Sequence, residues 1–416
     1  MKIADGVYVH FIPTQKYKTN RIVFRMTGSL NKQTIAKRAL VSQMLATANQ
    51  TYPTVQSFKE RLASLYGTQL STKVSTKGLT HSVDIELTYL KDFFIPMNTS
   101  LFWEVLGFLM DCLYNPLSIV AQYQNKVFDM EKQNLMTYLD VDTENNYYYS
   151  EVQGRELYFV NEALKVPKYG RVELVEAETS FTAYQEFQSM LTKDRIDIFM
   201  VGEFDDYQVL RGLHRFPLEG RQVDLQFSYN QPYSKVVKEK IETRQTSQSI
   251  LQLGYQFPCQ YGDKDYFALI VFNGMLGEFA HSALFTKIRE KEGLAYSIGS
   301  QFDAFTGLLE IYAGIEKSNR NQAMRGIIRE LNHIKLGRFS SSLFNQTKKI
   351  IRMNVLLSED HALTLVEQHF NKVIFGDKNI SLEDWLDKIE KVTKKDVCRI
   401  ARQVKLQSLF FLEGVS

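Results

Sequence analysis

One order of strands and helices occurs twice along this chain, and the repeat limits the available folds more than any other feature. In the first half NRIVFRMTGS (20–29) alternates as a strand and TIAKRALVSQMLATAN follows with helical spacing. SFKERLASLYGTQLSTKVS reads as a helix passing through Gly67 into a strand, and HSVDIELTYL (81–90) alternates again. The second half supplies SILQLGYQF (249–257), the helical DYFALIVFNGMLG, then ALFTKIREKEGLAYSIGS through Gly293, then GLLEIYAGI (307–315). Two helical segments come next in each half, 98–115 with 120–139 and 318–336 with 342–358. Each half closes on an apolar strand, DIFMVGEF (197–204) or SLFFLEG (408–414). Even the helix residues correspond in type, Phe58 to Leu62 with Phe285 to Arg289.

Two α+β domains are therefore expected, each a mostly antiparallel sheet covered by helices. The boundaries predicted are 1–213 and 236–416, joined by a linker over 214–235 where two prolines and polar residues interrupt the pattern. The acidic, tyrosine-rich YLDVDTENNYYYSE (138–151) reads as a solvated helix end or loop rather than a metal site. Charge says little about partners: 50 Lys and Arg against 47 Asp and Glu give +3, with no basic tract to favour nucleic acid or an anionic membrane. Three scattered cysteines fit a reducing compartment. The N-terminus lacks a secretory apolar core, and LFWEVLGFLMDCLY (101–114) is too short to span a bilayer and carries Glu104 and Asp111. A cytoplasmic protein with no membrane partner is the expectation.

Motifs for catalysis are sparse. No P-loop, G-x-G-x-x-G or G-x-S-x-G elbow occurs. Two zinc-binding histidines on one helix must lie about one turn apart. The closest pair here, His361 and His369, is eight residues apart, within an amphipathic helix that gives both a structural reading. A zinc ion held by one helix is excluded; a site assembled from distant histidines stays open. The remaining feature is LFTKIREKEGLAYSIGS (284–300). Gly293 reads as the C′ residue of a helix, with Leu294, Tyr296 and Ile298 on one face of the strand beyond it. Arg289 in the last helical turn and Tyr296 at the strand start would project from the same end. A cation suits a helix C-terminus and a tyrosine suits a strand, so both positions also have an explanation without function.

With two such halves and FNGMLGEFAHSALFTKIREKEGLAYSIGS in the second, the chain resembles the pitrilysin/insulinase family of inverted-motif zinc peptidases, in its small two-domain, processing-peptidase-like class. The resemblance covers nearly the whole chain and is most specific over 272–300. It implies that Arg289 and Tyr296 hold a substrate backbone. It also exposes a departure. Family members that hydrolyse peptides carry His-x-x-Glu-His on the first long helix, where RALVSQMLA places Ala39, Ser42 and Gln43. The further glutamate ligand falls at Tyr138 if MEKQNLMTYLD matches the second ligand helix. Ala39, Ser42 and Gln43 neither bind zinc well nor serve as a general base. The family includes mitochondrial and bacterial heterodimers in which one subunit holds zinc, the other lacks it, and the two form a clam-shell chamber. The resemblance thus implies a non-catalytic subunit of a bacterial zinc metallopeptidase, with no zinc of its own. Its partner would be a homologous His-x-x-Glu-His subunit that holds the zinc, and its substrate an unfolded or short peptide. A purely structural scaffold subunit is the alternative, and an independent enzyme of another kind ranks behind both.

Overall fold

The computed structural model describes residues 1–96, 100–376 and 380–415. Its first sheet runs in the order Lys2–Ala4, Val7–Pro13, Arg195–Gly202, Thr19–Ser29, Thr80–Leu90, Gln69–Lys77. Neighbours are antiparallel except Val7–Pro13 and Arg195–Gly202, which run parallel. Side chains alternate between faces along a strand, so the sheet has two unlike sides. Ile22, Phe24 and Met26 join Val83, Ile85, Ile196 and Ile198 in an apolar core shared with the helices Ile35–Leu45, Leu101–Tyr114 and Ser180–Lys193. The intervening residues put buried charge on the other side. Arg25 donates to both carboxylate oxygens of Asp84 at 2.8 and 2.7 Å. Glu367 closes that cluster, accepting from Arg25 at 2.5 Å and from Lys77 at 3.1 Å.

The second sheet runs Ser297–Asp303, Leu308–Ile315, Ser249–Gln256, Lys405–Val415, Lys238–Gln245, again with one parallel pair, Lys405–Val415 with Lys238–Gln245. Strand for strand this matches the first sheet read from Gln69–Lys77 to Val7–Pro13, in order and in sense. The repeat in sequence is a repeat in topology. Leu251, Leu253, Ile311, Ala313 and Phe411 face the core. On the opposite face Glu310, itself buried, accepts from Arg155 of the helix Asn146–Tyr158 at 2.8 and 3.1 Å.

Two compact units result, and neither is a continuous stretch. One holds 1–141, 166–227 and 362–369; the other holds 142–165, 228–361 and 370–416. The change at 227/228 falls inside the expected linker, but a single cut there misassigns 142–165 and 362–369. The tyrosine-rich segment divides: 138–144 is the largely exposed end of the helix Asn125–Glu144, as expected, whereas beyond it Asn145 caps Asn146–Tyr158, the Tyr147 hydroxyl bonds Ser297, and Tyr149 donates to Glu242. The helix expected at 120–139 is shifted to Asn125–Glu144, because Ser118–Ile119 and Gln122–Tyr123 form a short ribbon first. Among the described residues no helix is long and apolar enough to cross a membrane.

Candidate functional site

Arg289 belongs to a π-helical turn, Phe285–Lys291, where an α-helix was expected. A second π turn, Gly274–Glu278, precedes it. Such turns are rare and concentrate at functional sites. Gly293 ends the helix at φ 61°, a conformation that glycine adopts without strain, and the Leu294 N–H closes back on the Ile288 carbonyl at 3.0 Å. The strand Ser297–Asp303 begins one residue after Tyr296, at the edge of its sheet. Ile298 is buried while Tyr296, just before the strand, is 61 % exposed.

Both residues of the pair are accessible, and each has its own partners. The Arg289 side chain is 40 % exposed; its guanidinium lies 4.5 Å from the centre of the Phe285 ring, with Nε 3.6 Å from Glu290. The Tyr296 hydroxyl donates to Glu316 at 2.9 Å. That hydrogen bond, with the charge of Glu316, raises the phenol above its ordinary value of 10.0, so the hydroxyl keeps its proton and stays a donor at neutral pH.

The residues expected at the zinc-motif positions lie in the other unit and are of another character. Ala39 is fully buried in the core, and Ser42, 2 % exposed, spends its hydroxyl on the Ala39 carbonyl at 2.7 Å. Gln43 is half-buried. Tyr138 is 49 % exposed and packs edge-on against Tyr169, whose neighbour Gly170 abuts Ala36 of the zinc-motif helix. An amide, a hydroxyl turned back on its own helix, a methyl and a phenol are not a zinc donor set, so the residues present do not fit the ion. Among the described residues no group of three or more His, Cys, Asp or Glu is placed to hold a metal. Buried Glu131 of the helix Asn125–Glu144 reaches the turn just after Ile35–Leu45, its Oε1 accepting from the Thr47 hydroxyl at 2.8 Å. Sequence reasoning passed it over; a lone acid in the apolar stripe Phe128, Leu135, Leu139 was the available signal.

The zinc-motif helix is also fastened from its other side by buried charge. Arg38 reaches Asp194 at 2.5 Å, the His81 carbonyl at 2.9 Å and His81 Nδ1 at 3.0 Å. His81 Nε2 lies 2.8 Å from the Lys168 carbonyl. The imidazole therefore accepts at Nδ1 and donates at Nε2, which fixes it as neutral. Gly28 permits the approach, since a Cβ there would stand 2.5 Å from Asp194 Oδ1. Burial first, and then the Arg38 charge, pushes His81 down from 6.5 to about 3. The unfolded chain binds this proton below pH 6.5 and the folded chain does not, so stability rises with pH across the window from about 3 to 6.5 and is flat above it. Roughly 2 kcal/mol should be lost between pH 6.5 and about pH 5. Urea midpoints at the two pH values check this: a His81→Gln variant should lose less over the interval than the wild type.

Comparison with known proteins places this geometry in a family. A model described as the peptidase M16 inactive domain matches residues 184–351, the stretch that contains Arg289 and Tyr296. "Probable inactive metalloprotease YmfF" of Bacillus subtilis is 31% identical over 411 residues, covering 98% of this chain and 96% of that protein. The chain belongs to the peptidase M16 family. A crystal structure of a conserved protein from Enterococcus faecalis V583 superposes with a TM-score of 0.97 at 34% identity, covering 100% of this chain and 98% of the other. A further relative, "Uncharacterized zinc protease YmxG" of Bacillus subtilis, is 24% identical over 59% of each chain. The resemblance drawn from 272–300 is thereby established. The coarser functional reading draws on the same findings: this is an M16 family member similar to a metalloprotease named as probably inactive.

Proposed function

We propose that the chain is the zinc-less subunit of a heterodimeric M16 peptidase and contributes Arg289 and Tyr296 to the binding of an unfolded peptide. One observation carries the reading: an exposed arginine and a proton-retaining tyrosine stand at the ends of one helix–glycine–strand unit, while Ala39 and Ser42 have sunk into the core. A guanidinium offers a rigid fork of N–H donors to a peptide carbonyl, and a phenol can donate to the same oxygen as charge gathers on it. The zinc and its activated water would come from a His-x-x-Glu-His partner. Relatives named as zinc proteases, YmxG among them, show that chains similar to this one carry that name.

A scaffold role is the second reading, and one feature favours it. The Tyr296 hydroxyl is already taken by Glu316, and Arg289 lies over Phe285. Reconstitution separates the two. Each chain alone should leave an unfolded peptide intact; the mixture should cleave it, and a chelator should abolish the cleavage. A mixture no faster than the zinc-bearing chain alone would discard the catalytic role and leave the scaffold.

A further inference from the structure

One cleft in the second unit is lined by neither Arg289 nor Tyr296. It measures about 690 Å³ and opens between the π-helical turn, the helix Arg320–Lys335 and the start of Ser341–Ser358. That volume is in the range of ligand clefts. Four cations line it, Lys287, Lys291, Arg329 and Arg338, against two carboxylates, Glu292 and Glu330. Both carboxylates are spoken for by one arginine: Arg329 donates to Glu292 at 2.5 Å and to Glu330 at 2.8 Å. Lys287, Lys291 and Arg338 are exposed and have no carboxylate partner among the described residues. Positive charge is thus left over on two walls, with Lys287 and Lys291 four apart on one and Arg338 on the other. The first turn of Ser341–Ser358 adds the partial charge of a helix start. Between the walls the surface is apolar, formed by Ile334, Phe339 and Leu343.

We propose that this cleft binds an acidic peptide segment, with carboxylates spaced to meet Lys287 and Lys291 on one side and Arg338 on the other. Charge complementarity supplies the attraction. The separation of the cations suits spaced carboxylates better than one compact, multiply charged phosphate, which would also face Glu292 and Glu330. The apolar strip suits side chains standing between the acids. This inference does not rest on the role given to Arg289 and Tyr296, and its test reads binding, not cleavage.

The probe is a short fluorescein-labelled peptide alternating glutamate with leucine, titrated with the full chain and followed by anisotropy. Saturable binding that weakens as salt is added is expected. Lys287→Glu with Lys291→Glu should lower the affinity about tenfold or more. The same charge-reversed chain should gain affinity for a lysine–leucine peptide, a gain that no loss of structure could produce. Three results would overturn the proposal: equal binding of a glutamine–leucine peptide, undiminished binding by the charge-reversed chain, or displacement of the peptide by inorganic phosphate alone at low concentration. A single-stranded oligonucleotide that binds more tightly than the acidic peptide would likewise replace the peptide with a phosphate backbone as the ligand.

Discussion

Arg289→Ala combined with Tyr296→Phe should slow peptide cleavage by the reconstituted heterodimer ~10²–10³-fold while leaving the two chains associated. The size follows from what the proposed role would lose: hydrogen-bond donors to an oxygen whose charge grows in the transition state. Neither residue is part of the core, so the fold should survive. Arg289→Lys discriminates further. It keeps the charge but loses the planar fork, and should recover only part of the activity if two N–H groups grip one carbonyl. Steady-state rates on an unfolded peptide, with size-exclusion profiles of the variant pair, make the measurement. Wild-type turnover from the double variant would end the substrate-binding role and leave this chain a scaffold.

Asp194→Ala should destabilise the chain by about 3–5 kcal/mol, a large share of the 5–15 kcal/mol typical of a folded protein. Arg38 is 2 % exposed and cannot lose its charge, so removing its nearest carboxylate leaves a buried cation beside neutral His81 with only the longer ion pair to Glu186 Oε1 at 3.3 Å. The pair itself is another matter. Swapping both Arg38→Met and Asp194→Leu should recover most of the loss, because burying two charges costs nearly what their attraction returns. Chemical denaturation of the two single variants and the double gives the coupling directly. A single variant within 1 kcal/mol of wild type would show that the network is not what seats the helix bearing Ala39 and Ser42.

Much of the fold was legible because burial writes a period into sequence. Thr19–Ser29 and Thr80–Leu90 alternate since one face meets the core and the other meets buried charge. Lys238–Gln245 was not legible: KEKIETRQ is an exposed edge strand, and its charges, which deter pairing with other chains, erase the apolar alternation. The π turns at 274–278 and 285–291 have no compositional mark, so an α-helix was the natural expectation. The segments 142–165 and 362–369 look like ordinary helices; which sheet they cover is decided by long-range partners such as Glu310 and Arg25, beyond any local pattern. For the candidate site, chemistry in the sequence could identify what was missing at Ala39, Ser42 and Gln43 only after a resemblance had marked those positions.

The trading of helices between the repeats has an evolutionary cost. Each half, expressed by itself, would leave a row of ion pairs such as Arg25–Asp84 or a buried acid such as Glu310 without its lid. A chain cut between the repeats would therefore expose charge that the joined chain keeps covered, and change is confined to residues within the joined pair.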